Sequence, residues 1–79
     1  MHYLIIQAQE GCQLVDFSDR FVDVAEELRR IRSRFESKRQ LQHRVVAVYS
    51  QDIINKVFLC DEFGIPTQRD GYLVKLEDI

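Results

Sequence analysis

The chain is built of short, uniformly apolar runs separated by turn signals, with one long segment in which apolar residues recur at helical spacing. The run HYLIIQA, residues 2–8, is β-branched and aromatic, and its successive apolar positions leave no face for water. It predicts a strand covered on both sides and therefore central in a sheet. Gln9 to Gly11 is a turn signal, with Gly11 able to take the positive φ that a hairpin bulge requires. In CQLVDF, residues 12–17, Cys12 and Leu14 alternate with Gln13, which predicts a second strand and an opening β-hairpin. RVVAVY, residues 44–49, is again apolar on both faces and predicts a third, interior strand. YLVKL predicts the last strand, after a loop, PTQRDG, whose turn is Asp70-Gly71.

Between the second and third strands, Phe21, Val24, Leu28, Ile31 and Phe35 recur at steps of three and four, which predicts an amphipathic helix from about residue 19 to about 37. Ser18 has the character of its N-cap, and Asp19 and Asp23 place negative charge at the positive end of the helix dipole. Phe17 and Val22 are spaced for a hydrophobic staple across that cap. Residues 51–63 carry two signals. Ser50, Asp52, Gly64 and Pro66 are helix start and stop residues, whereas KVFLC alone is strand-like. Ile53 and Ile54 are poorly placed in a hairpin loop, so a second helix is the preferred reading. The element order is then ββαβαβ, with ββαβββ as the other reading. The predicted fold class is α+β: a single domain over residues 1–79, with a small single-layer sheet of about four strands and one main amphipathic helix packed on it.

Composition agrees with a folded domain, since 46% of the residues are hydrophobic and 30% charged, well above the apolar content of disordered chains. The apolar runs are far shorter than the roughly 20 residues that cross a bilayer. The first residues lack the basic flank and cleavage site of a signal peptide, so the expected location is cytoplasmic. Cys12 and Cys60 stand far apart with no second ligand at zinc-site spacing, and are expected to be small buried hydrophobes. A reducing compartment disfavours a disulfide between them.

Charge changes the picture more. Residues 29–44 carry a net charge of +6 and the remainder −8, in a chain whose formal net charge is −2. On a helical wheel the cations of LRRIRSRFESKR are spread: Arg32 and Arg39 lie near the apolar stripe, Arg29 to one side, Arg30 and Arg34 on the far face, Lys38 opposite. A surface that neutralises a row of phosphates is one-sided, so the spread weakens a nucleic-acid reading. Intrahelical pairs from Glu26 to Arg29 and Arg30 and the opposed helix dipole explain part of the charge. Arg34, Lys38, Arg39, His43 and Arg44 have almost no acids near them in sequence, and arginine is the usual cation at protein interfaces. The expected partner-binding residues are therefore Arg30, Arg34, Lys38, Arg39 and Arg44.

Catalytic chemistry is not indicated. His2 and His43 read as surface residues, and Asp61-Glu62 diverge on a helix. No GxGxxG, P-loop or HExxH is present. No catalytic, cofactor-binding or metal-binding residues are assigned. Tyr3, Tyr49 and Tyr72 lie on predicted strands, but without the glycine-flanked basic-aromatic pattern of an RNA-binding sheet; they are expected in the core or at a sheet edge. The expectation is a non-enzymatic protein-binding module, a small inhibitor or regulatory adaptor that can self-associate, possible homodimer included, and that uses no membrane and no cofactor. The alternative is a nucleic-acid-binding module using the basic C-terminal half of the main helix.

Overall fold

The computed structural model describes residues 1–37 and 45–79. Strand β1 is His2–Ala8 and β2 is Gly11–Ser18; helix α1 is Phe21–Ser37; strand β3, Val45–Ser50, leads directly into helix α2, Gln51–Val57. Two short strands, β4 (Gln68–Arg69) and β5 (Tyr72–Leu73), precede a closing 3-10 turn at Leu76–Asp78. The main sheet is antiparallel in the order β2-β1-β3, and β4 and β5 form a separate two-stranded sheet. As the apolar run of residues 2–8 predicts, β1 is central.

Alternation along β1 sends its side chains into two cores. Leu4 and Ile6 meet Val24 and Ile31 of α1 and Val46 of β3, with Leu28 and Val48 packed around them. On the opposite face Tyr3 and Ile5 meet Cys12, Ile54 of α2, Phe58 and Leu73. Each fully buried aliphatic side chain contributes about 1.5–3 kcal/mol by leaving water, so the sheet is held from both sides. Three layers result where the sequence predicts one helical layer on one sheet, because the chain after β3 folds back over the second face. The predicted single four-stranded sheet is accordingly a three-stranded sheet plus a two-stranded one. YLVKL supplies only Tyr72 and Leu73 to a ladder, because its turn, with Asp70 at φ 56° and Gly71 at φ 85°, pairs it with Gln68–Arg69 and not with the main sheet.

Strand β3 is a further correction. Among the described residues it pairs only with β1, so it is an edge strand. Its apolar faces report α1 on one side and α2 on the other, not a neighbour on its outer edge.

Residues 51–63 reconcile both sequence signals. The helix runs only to Val57, and Phe58 is already extended at φ −118°, ψ 152°. From there the backbone pairs loosely, with Leu59 N–H donating to Val74 O and Thr67 N–H to Leu59 O. Gly64 therefore closes a loop and does not cap α2. Ser50 stands at the α2 N-cap position without a side-chain cap bond.

At the start of α1, helical structure begins at Phe21, two residues later than predicted. Ser18 ends β2, and its hydroxyl accepts from Arg20 N–H and donates to Asp23, each at 3.0 Å. The predicted Phe17–Val22 staple is replaced. Register runs Ile5 to Leu14 but Leu4 to Asp16, which leaves Val15 as an extra bulged residue. Strict alternation from Leu14 would place Asp16 on its face; the bulge places Phe17 there instead, opposite Tyr3, with ring centroids 6.2 Å apart. Bulges of this kind re-aim side chains at sheet edges.

Candidate partner-binding surface

Three local devices assemble an apolar patch at the Met1 end of the second face. The first is the bulge, which delivers Phe17. The second is the loop Asp61–Ile65: the Asp61 carboxylate accepts from Phe63 N–H and Ile65 N–H, both at 2.9 Å. The same loop is closed by backbone bonds from Asp61 N–H to Ile65 O and from Gly64 N–H to Asp61 O, with Gly64 at φ 81°. Short polar side chains that bond amides two residues on are a known device for holding such turns. The third is Gln51. Its Oε1 accepts from the Tyr3 hydroxyl at 2.8 Å, and its Nε2 donates to Gly64 O at 2.6 Å and Asn55 Oδ1 at 3.0 Å. Gln51 thus ties the loop to the buried end of β1.

What this arrangement displays is apolar. Phe63, at the loop, is 79% exposed, Phe17 56% and Ile65 51%. Met1, Tyr3, Leu14, Phe17 and Ile65 line a cavity of about 100 Å³, two-thirds of the roughly 150 Å³ apolar cavity that admits benzene in an engineered core. Burial raises the Tyr3 phenol above its usual value; the Gln51 hydrogen bond partly offsets this, and Asp61 and Asp19 add to the rise through their negative charge.

The predicted cationic surface is placed only in part. Arg30 is exposed and pairs with Glu27 at 3.3 Å, not with Glu26. Arg34 is exposed and makes no ion pair among the described residues. Lys38, Arg39, His43 and Arg44 lie outside the described residues, as does the Phe35 side chain. Arg32, near the apolar stripe, donates to Val46 O at 3.0 Å and so ties α1 to β3. His2 is not a free surface group: it is half-buried, with Phe21 edge-on at 5.4 Å and its Nδ1 without a hydrogen-bond partner.

The tyrosines form no open stacking platform, because both sheet faces are covered. Tyr3 is buried, Tyr49 lies edge-on to Phe58 at 6.5 Å, and Tyr72 sits against Gly11. Both cysteines are free and belong to the second core; burial pushes both thiols up, with Lys75 partly offsetting this at Cys12 and Asp61 adding to it at Cys60. Thiols held protonated are poor nucleophiles. A second cleft of about 270 Å³ is lined by Gln7, Tyr49, Lys56, Phe58, Lys75 and Glu77, among others; Lys75 is met there by Glu77 at 4.0 Å.

Sequence reasoning missed Met1, Phe17, Phe63 and Ile65. A signal was present in DEFGIP, where an aromatic and an aliphatic residue flank the glycine of a turn that has no need of either. No helix among the described residues is long and apolar enough to cross a membrane. Comparison with known proteins finds no matching family model, no similar curated protein and no similar solved structure.

Proposed function

We propose that the protein is a non-enzymatic protein-binding module, a small inhibitor or regulatory adaptor acting in the cytoplasm, where its free thiols stay reduced. One observation carries this reading: a hydrogen-bonded loop holds Phe63 79% exposed two residues before Ile65, which lines an apolar cavity. Soluble domains rarely expose contiguous apolar patches without using them, and an aromatic anchor beside a pocket is the usual centre of an interface. Because the loop is already fixed, binding need not order it, which removes part of the entropic cost of association. Arg30 and Arg34, exposed on α1, are proposed together with Lys38, Arg39 and Arg44 as a second, separate surface that takes acidic groups of a partner.

A photo-crosslinking phenylalanine analogue at position 63 tests the reading in cells that express the chain. Discrete adducts are expected from position 63, to be lost with Phe17→Ser and absent when the analogue replaces Gln9. Adducts of equal yield from both positions overturn it. Steep salt-dependent binding to duplex or single-stranded nucleic acid, abolished by Arg34→Glu with Arg39→Glu, supports the alternative module instead.

A further inference from the structure

Resting on the patch reading, we infer that the ligand of this patch is a cationic amphipathic segment of another protein, one that places an aliphatic or aromatic side chain in the Met1–Phe17–Ile65 cavity with lysine or arginine beside it. The argument is electrostatic and has three steps.

The rim comes first. The Asp61 carboxylate accepts from the amides of Phe63 and of the cavity-lining Ile65, Glu62 follows it exposed on the same loop, and Asp19 is exposed two residues after Phe17. Against these acids stand the amino group of Met1, a residue that lines the cavity, and Arg20, which pairs with Asp23 at 4.0 Å. The apolar patch is therefore edged by net negative charge.

A second copy is a poor occupant, and this is the second step. Patch against patch in a two-fold dimer brings Asp19, Asp61 and Glu62 of each copy toward those of the other, and like charges across an interface oppose association. The basic half of α1 from a second copy satisfies the charge, but none of its described apolar side chains is exposed to enter the cavity. Among its described residues the one large aliphatic, Ile31, is buried at 6% exposure. A ligand must offer both charge and an apolar anchor, which is the pattern of a basic amphipathic helix that docks in a groove.

Third, the acids that define the rim are not spent on the fold. Asp19 and Glu62 have no hydrogen bond or ion pair among the described residues, so their charge is available. Asp61 also serves the loop, and is left intact in the test.

The probes are two fluorescein-labelled synthetic peptides with leucine at amphipathic helical spacing, one with lysine and one with glutamate at the remaining positions. Anisotropy is read at low salt and at about 0.5 M salt, where surface pairs are largely screened. The lysine peptide is expected to bind about tenfold or more tightly than the glutamate peptide, from a few exposed charge pairs acting together, and the gap is expected to shrink in high salt. Asp19→Lys with Glu62→Lys is expected to abolish or invert the preference. Glu10→Lys with Asp78→Lys makes the same change of net charge at the other end of the sheet and is expected to leave the preference in place. If the remote pair of reversals erases the preference as well, the attraction is to net charge and the inference fails. If both peptides bind equally, and Phe63→Ser with Ile65→Ser weakens both, the patch reading survives while the cationic ligand does not. If binding of either peptide is indifferent to Phe63→Ser with Ile65→Ser, the patch reading itself fails. Sedimentation showing a dimer that Phe63→Ser dissolves assigns the patch to a second copy and overturns the inference.

Discussion

Replacing Gln51 by alanine tests whether the loop is held as described. The side chain makes three hydrogen bonds, to Tyr3, Gly64 and Asn55. The Asn55 bond is exposed and contributes little. The other two join partly buried groups, and at about 0.5–1.5 kcal/mol net per bond they amount to about 1–3 kcal/mol. A domain of this length has a total stability of about 4–12 kcal/mol at the usual 0.05–0.15 kcal/mol per residue. The loss is thus a sizeable fraction, and each kcal/mol lowers Tm by about 4–8 °C in a domain of this size. Urea unfolding followed by circular dichroism measures it. A double-mutant cycle with Tyr3→Phe should return a coupling of about 0.5–1.5 kcal/mol, since the two residues share one bond. Gln51→Glu separates the two roles: it keeps an acceptor for Tyr3 but has no amide donor for Gly64 O. It should therefore speed amide exchange at Phe63 and Ile65 more than at the β1 core amides. If Gln51→Ala changes stability by less than about 0.5 kcal/mol, the range of ordinary surface substitutions, and the Phe63 and Ile65 amides exchange as before, the clamp argument is wrong.

Gly11→Ala should cost about 1–3 kcal/mol, because φ is +144° and the new methyl carbon would lie 3.1 Å from the Tyr72 ring; equilibrium unfolding checks this, and a neutral result refutes the close approach. Leu4→Ala and Ile54→Ala, both at 0% exposure, should each cost about 2–5 kcal/mol. Their effects should add within about 0.5 kcal/mol because they belong to different cores, whereas strong coupling would mean a single core. Stability should fall at alkaline pH. Cys12, Cys60 and Tyr3 all titrate above their ordinary values of 9.0 and 10.0 when folded, so between the unfolded and folded values the folded chain binds more protons. Raising pH then favours unfolding, and their contribution is intact below about pH 9 and lost progressively above it. Urea midpoints on either side of pH 9 measure this, and a midpoint that holds steady to pH 11 contradicts the assignment.

The main elements of the fold were legible because periodicity reports burial faithfully. Residues 2–8 could only be a strand covered on both sides, and Val24, Leu28 and Ile31 could only be one buried face of a helix; Phe21, at the head of the same stripe, was expected in the core and is 56% exposed, because the stripe passes the edge of the sheet there. Turn chemistry was legible for a similar reason: Gly11, Asp70 and Gly71 take the positive φ values their types allow. Layering was not. An apolar strand face is the same string of letters whether a helix or a neighbouring segment covers it, and it carries no information about the strand's hydrogen-bonding edges. That is why β3 could be expected inside the sheet and yet stands at its edge. The second helix was half legible, since Ile53 and Ile54 argued for it and KVFLC against it, and the chain satisfies both by ending α2 at Val57.

The patch was illegible for a sharper reason, which also says how it works. Each of its parts depends on a contact distant in sequence: Phe17 on a bulge defined by register with β1, Ile65 on the Asp61 carboxylate, and the loop's seat on Gln51. Read one at a time these are an aromatic in a strand, an aliphatic near a proline and a polar residue opening a helix. Once folded, they place Phe17, Ile65, Met1 and Tyr3 around one cavity with Phe63 on the loop beside it. The Asp61 and Gln51 bonds hold that loop without spending a buried aliphatic on it, so the apolar side chains remain exposed. A loop fixed by backbone and carboxylate bonds tolerates substitution at its displayed positions better than one fixed by its own packing. Phe63→Ser should therefore lower binding while changing stability by less than about 0.5 kcal/mol, and loss of folding with that substitution would mean that Phe63 supports the structure and not its partner.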